Sequence, residues 1–246
     1  MARFHGPGLI AGLILGLVLI SPAAAQDLSI SLGDDGALAT RSVQLILLVT
    51  VLSLVPGLLI MITCFPYIVT VLAILRQAIG LQQSPPNMLM VTLALFLTYF
   101  VMEPVFLTAW TEGIEPAMNS GMPLDEAFIK AIAPFRSFMT GRIEPDTFAA
   151  LAALRPELGA ETAIGDAPLS VLVPSFLLSE ISRAFQIGFL IFLPFLIIDL
   201  VVAAILMSMG MMMVPPAIVS LPFKLAFFVV ADGWSLIAES LVRSYF

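Results

Sequence analysis

The chain has 246 residues, 60% of them hydrophobic and 11% charged, with a mean hydropathy of +1.09. Soluble domains carry about 25% charged residues, so a water-facing globular enzyme is excluded, as are disordered and collagen-like chains; a disulfide scaffold is excluded because Cys64 is the single cysteine. Seventeen Asp and Glu against ten Lys and Arg leave a net charge of −7 and no basic field to attract nucleic acid.

Residues 1–25 read as a cleavable signal peptide. Arg3 and His5 precede an apolar core over 9–20, and Ser21-Pro22-Ala23-Ala24-Ala25 supplies the small-residue exit, with cleavage expected after Ala25. The core is short of the ~20 apolar residues that a helical span needs. His5 is the one histidine, so cleavage removes imidazole acid–base catalysis, Ser-His triads and His-ligated zinc together. Residues 26–41 form a polar N-terminal segment.

Residues 42–110 form a first apolar helical hairpin. Its opening block, 42–75, carries no charge, and as one helix it would measure about 50 Å against a hydrocarbon core of ~30 Å. Pro56-Gly57 and Pro66 lie inside it, which predicts a kinked or interrupted helix. A polar turn with Pro85 and Pro86 follows, then an apolar run over 88–110 whose one charge is Glu103, next to Pro104.

Residues 111–182 change in kind. Acidic residues outnumber the four basic ones, Lys130, Arg136, Arg142 and Arg155, and prolines recur from Pro116 to Pro174. Short amphipathic helices are expected at 123–139 and 144–154, in a periplasmic-side domain too small to bury much core alone. A cleaved signal puts the mature N-terminus and this domain outside. The positive-inside rule would prefer the reverse, but it is weak for loops longer than about 60 residues.

Residues 183–246 form a second apolar helical hairpin, with apolar runs over 185–207 and 211–231 and a Met-rich loop between them. The expected fold is therefore an all-α membrane protein of two kinked helical hairpins, four apolar segments in all, with an inserted, mostly helical extramembrane domain.

Few residues can carry chemistry. Glu103, Asp199, Lys224 and Asp232 stand in apolar surroundings, where ionisable groups are costly and mark a pathway or a pair. Lys224 and Asp232 are eight residues apart and face different sides of a helix, so Lys224 needs a carboxylate from another segment, Asp199 or Glu103. Such charges serve either a proton or ion relay, as in a small secondary transporter or channel, or buried pairs that fix packing. Ser220 and Lys224 at i, i+4 have the spacing of a nucleophile dyad, with no oxyanion-hole motif beside them.

Five of the seven residues over 207–213 are methionine: Met207, Met209, Met211, Met212 and Met213. Methionine is unbranched, polarizable and adaptable. Three readings are open: core filler, a thioether site for Cu(I), or a deformable seal around a pore. Copper is weakened by the missing His and nearby Cys. A loop centred on Gly210 is an odd place for core filler.

Three stretches resemble the FliP family, flagellar biosynthesis proteins of the type III protein-export gate. They are FPYIVTVLAILRQAIGLQQSPPNMLMVTLALFLTYFVMEPVF (65–106), PSFLLSEISRAFQIGF (174–189) and PFLIIDLVVAAILMSMGMMMVPP (194–216), the last continuing through SLPFKLAFFVVADGW to Trp234. The resemblance implies a homo-oligomer of about five copies with FliQ and FliR, in contact with other export-apparatus and basal-body ring proteins and with membrane lipid. Its setting would be the bacterial inner membrane at the flagellar basal body. By the same resemblance the Met-rich segment closes the channel as a gasket around transient unfolded export substrates. Glu180, Asp199 and Lys224 fall in family motifs and are expected to be packing and inter-subunit pairs. No reaction and no cofactor are implied, and the chain has no Gly-Lys phosphate loop for ATP chemistry.

Overall fold

A computed structural model describes residues 35–81, 84–156, 158, 162–211 and 213–246. The expected signal peptide, most of the polar segment after it, and Met212 lie outside the described residues. Every regular element among the described residues is helical. The described residues divide into two units, with the boundary between Ser53 and Leu54.

Helix α1 (Asp35–Met61) keeps Pro56 within it, and the interruption expected in the 42–75 block falls at residues 62–64. There the Ile62 and Thr63 N–H groups reach back to Leu59 and Ile60 at 3.3 and 3.4 Å, which tightens the last turn. Helix α2 (Phe65–Ile79) starts again from Cys64 with Pro66 in its first turn, where a missing N–H forfeits no helical bond.

Helix α2 is apolar and buries Tyr67, Ile68, Val71, Leu72, Leu75, Ala78 and Ile79, a stripe at three- and four-residue spacing that forms the centre of the core. It ends at Gly80, which takes the left-handed φ of 92° that favours glycine, with its N–H on the Gln77 carbonyl at 3.0 Å. Arg76 closes the following turn, donating to Pro85 O at 3.3 Å and to Asn87 Oδ1.

Helix α3 (Asn87–Ala109) absorbs Pro104 and runs through a π-helical turn (Trp110–Ile114) into α4 (Glu115–Asn119). Gly113 in that turn lies against Ala131, where a Cβ would come within 2.6 Å of the alanine's own Cβ. The amphipathic helices expected beyond it form as α5 (Leu124–Thr140) and α6 (Pro145–Ala152), followed by a 3-10 turn (Ile164–Asp166).

Helix α7 (Leu169–Ser208) has 40 residues and passes unbroken through the change of composition at 182. At 1.5 Å per residue it is about 60 Å long, twice the hydrocarbon thickness. Composition shifts where the surroundings of a helix change and need not mark its end; Pro174 and Pro194 are both held inside this one. Helices α2 and α7 meet closely at Gly188, where a Cβ would lie 2.4 Å from Ile74 Cδ1.

The last apolar run begins its helix at Pro216 and ends in a bend of 62° between α8 (Pro216–Val230) and α9 (Gly233–Arg243). Asp232 turns that corner at φ 47°, a left-handed conformation that Asp tolerates better than most residues. Gly233 follows where a Cβ would strike the Phe228 ring at 2.2 Å. Among the described residues, three helical stretches are long and apolar enough to cross a membrane, Arg41–Met61, Asn87–Asn119 and Leu169–Ser208, and the bent α8–α9 pair makes a fourth if counted as one.

Candidate functional site

The turn between α7 and α8 is built by its sequence. Met209 caps α7 and Gly210 adopts φ +75°. The Gly210 N–H bonds to Met207 O and the Met211 N–H to Leu206 O, both at 3.0 Å, which is the paired bonding of a Schellman stop. Pro215 and Pro216 then start α8, since proline is suited to a helix start and cannot extend the preceding one. Met207, Met209, Met211 and Met213 are 61%, 68%, 43% and 97% exposed, so none of the four fills this chain's core. Met212 is outside the described residues.

Below the turn, Asp199 braces α7 to α8. Its Oδ2 accepts from Lys224 Nζ at 2.6 Å and its Oδ1 from the Ser220 hydroxyl at 2.5 Å. Lys224 also donates to Ala78 O at 3.1 Å, which ties the C-terminal end of α2 to the same carboxylate. The pair is lopsided: the Lys224 side chain is 7% exposed and that of Asp199 36%. Ser220 and Lys224 thus both point their donors at Asp199, and no hydrogen bond joins them as a dyad.

The fold does not bring Glu103 to this brace. Ala78 lies just before the turn into α3, whereas Glu103 is sixteen residues along α3, about 24 Å from its start. Glu103 is exposed and has no ion pair among the described residues. Asp232, expected in apolar surroundings, is exposed as well, because the helix breaks at that residue.

A second cluster centres on Glu180, whose side chain is fully buried on α7. Oε1 accepts from Arg142 Nε at 2.9 Å and Arg183 Nη1 at 3.0 Å, and Oε2 accepts from the Tyr245 hydroxyl. The Arg142 guanidinium lies 4.0 Å from the Tyr245 ring centroid and donates to Ser244 O at 2.9 Å. Tyr245 stacks on Phe138 and meets Tyr67 edge-on, at 5.9 and 5.6 Å between centroids. Burial above all, then the charge of Glu180 and the hydrogen bond to it, push the Tyr245 hydroxyl well above the ordinary tyrosine range. It therefore stays protonated and donates.

Sequence reasoning singles out Glu180 but misses most of its partners. Only Arg183, at i+3, carries a local signal. Arg142 and Tyr245 stand 38 and 65 residues away and reach Glu180 through the fold alone. Among the described residues, no three His, Cys, Asp or Glu side chains gather to hold a metal ion.

The profile of the FliP family matches residues 48–241, from α1 through the Met-rich turn to α9. The chain belongs to the FliP family. It is 52% identical over 233 residues to the flagellar biosynthetic protein FliP of Caulobacter vibrioides, covering 92% of this chain and 86% of that one. To the flagellar biosynthetic protein FliP of Bacillus subtilis it is 46% identical over 212 residues, covering 86% and 96%. That of Aquifex aeolicus is 44% identical over 208 residues, covering 83% and 86%. The stretch matched to the FliP family contains Glu180, Asp199, Lys224 and the methionine turn.

Proposed function

We propose that this chain is a pore-forming subunit of the flagellar type III protein-export gate, conducting unfolded flagellar substrates across the bacterial inner membrane. Several copies, with FliQ and FliR, surround the channel at the flagellar basal body, and the two pairs of apolar segments act as kinked hairpins. Met207, Met209, Met211, Met212 and Met213 from each copy meet at the axis as a gasket. The observation that carries this reading is the methionine turn: a rigid Schellman stop and a Pro-Pro restart hold thioether side chains out from the chain's own core.

The mechanism follows from the side chains. Unbranched thioethers change rotamer at little cost and make dispersion contacts with side chains of any shape. A ring of them excludes hydrated ions, because an ion there loses water and gains no ligand of comparable strength. A passing polypeptide displaces the ring one residue at a time. Asp199, Ser220 and Lys224 keep α7 and α8 together under the turn, and Glu180 joins α7 to the extramembrane domain and the C-terminus, both as structural pairs. No step makes or breaks a bond, and the chain acts as a conduit, not an enzyme. A relay transporter would need Glu103 beside Asp199 and Lys224, which supports the conduit over that alternative.

The test replaces Met211, Met212 and Met213 together by Ala in the assembled gate. Small-ion conductance across the membrane should rise severalfold while assembly is retained. Unchanged conductance in an intact assembly would remove the gasket.

A further inference from the structure

Helix α2 turns a second face away from its buried stripe. Val69, Ala73 and Gln77 recur on it at four-residue spacing, and with Phe185 of α7 and Ala217 of α8 they line an open groove of about 890 Å³. The groove is sorted by polarity along its length. Arg76 and Gln77 line it at the C-terminal end of α2, beside the polar turn into α3, and Val69, Ala73 and Ile74 line it further back along the helix. Thr70 lines it too, but its hydroxyl is spent within the helix on Pro66 O at 2.7 Å. Arg76 is the one basic residue of the lining, and no acidic residue belongs to it. Asp199, on the neighbouring helix, is already paired with Lys224. The Arg76 guanidinium is held from one side, because Nη1 donates to Pro85 O at 3.3 Å and to Asn87 Oδ1. Its Nε and Nη2 have no hydrogen bond among the described residues.

We propose that this groove binds an anionic glycerophospholipid, its phosphate on Arg76 and Gln77 and one acyl chain laid along Val69, Ala73, Ile74 and Phe185. A guanidinium held in place with N–H groups to spare suits phosphate oxygens in both charge and geometry. A basic residue in a pocket between apolar helices is the arrangement that selects anionic headgroups. Arg76 to Val69 is about 10 Å along the helix axis, which fits within half of a ~30 Å hydrocarbon core, the depth of one leaflet. The polar end of the groove lies at a turn between apolar helices, where a headgroup belongs. Free phosphate would leave the apolar length uncovered, and a purely apolar helix would leave Arg76 without an acceptor; a phospholipid satisfies both ends. The site is separate from the methionine turn and does not depend on the export reading.

The full chain, delipidated in detergent, is titrated with phosphatidylglycerol or with phosphatidylcholine of the same acyl chains, and bound lipid is counted by native mass spectrometry. Phosphatidylglycerol should bind about tenfold more tightly, and Arg76→Gln should remove that preference, as loss of a charge-assisted contact implies. Ala73→Phe, at an exposed position, fills the acyl slot and should weaken both lipids. Asn87→Ala takes an acceptor from the turn and leaves the charge, so it should leave binding unchanged. Equal binding of the two lipids, insensitivity to Ala73→Phe, or a loss in Asn87→Ala as large as in Arg76→Gln overturns the proposal. So does displacement of the lipid by an equal concentration of glycerol 3-phosphate, which would make this a site for phosphate alone. A photo-crosslinking residue at Ala73 in cells should capture lipid; capture of a second copy or of another protein in its place overturns the proposal as well.

Discussion

Glu180→Gln tests the arithmetic of the larger polar cluster. The carboxylate is fully buried and accepts from Arg142, Arg183 and Tyr245, so glutamine leaves two guanidinium groups without a counter-charge and turns an amide N–H₂ toward at least one donor. Breaking a buried pair by removing one partner costs about 3–5 kcal/mol. Arg142 and Arg183 remain 15% and 27% exposed and recover some hydration, which points to the lower end, about 3 kcal/mol. That is roughly a hundredfold in the unfolding constant. Tyr245→Phe removes one hydrogen bond to a charged acceptor and keeps the ring on Phe138, so it should cost about 1.5–2 kcal/mol. Adding Arg142→Met to Glu180→Gln removes a charge that the first change stranded, so the double variant should lose less than the sum of the singles. The assay is reversible denaturation of the detergent-solubilised chain followed by far-ultraviolet circular dichroism. A Glu180→Gln variant within 0.5 kcal/mol of the parent on that assay, or strict additivity in the cycle, would refute the reasoning.

The Asp199 brace should respond unequally: Asp199→Ala strands a buried ammonium and costs about 3 kcal/mol, whereas Lys224→Met leaves a partly exposed carboxylate and costs about 1; the same denaturation assay measures both. Gly188→Ala should cost about 1–3 kcal/mol because the added methyl meets Ile74, and Ile74→Ala in the same chain should restore most of it. At Gly210, whose φ is +75°, valine should cost about 1–2 kcal/mol while asparagine stays near neutral, read as a shift in thermal midpoint. Because the folded state raises the Tyr245 titration above that of the unfolded chain, its contribution is complete below about pH 10, where unfolded tyrosine begins to ionise, and is lost as pH rises further. Stability measured from pH 9 to 11 should therefore fall less steeply in Tyr245→Phe than in the parent.

Much of this protein was legible before folding, because its signals are local. Uncharged runs longer than a bilayer predict helices that must break or bend. Gly80, Gly210 and the Pro215-Pro216 pair mark turns through backbone conformations that few other residues adopt. The methionine run is visible as composition alone, as are the amphipathic helices that became α5 and α6. What needed the tertiary structure was everything joined across the sequence. The first apolar block breaks at residues 62–64, and the part beyond the break, α2, is buried because of the helices that pack around it, which its apolar composition alone does not announce. Asp199 and not Glu103 takes Lys224, since the choice turns on which end of α3 meets the end of α2. Arg142 and Tyr245 have no periodicity linking them to Glu180, and only the return of the chain's C-terminus to α7 gives that carboxylate its partners. Sequence records the preferences of neighbours along the chain; pairing of charges is decided by distances in space, which residues far apart set together.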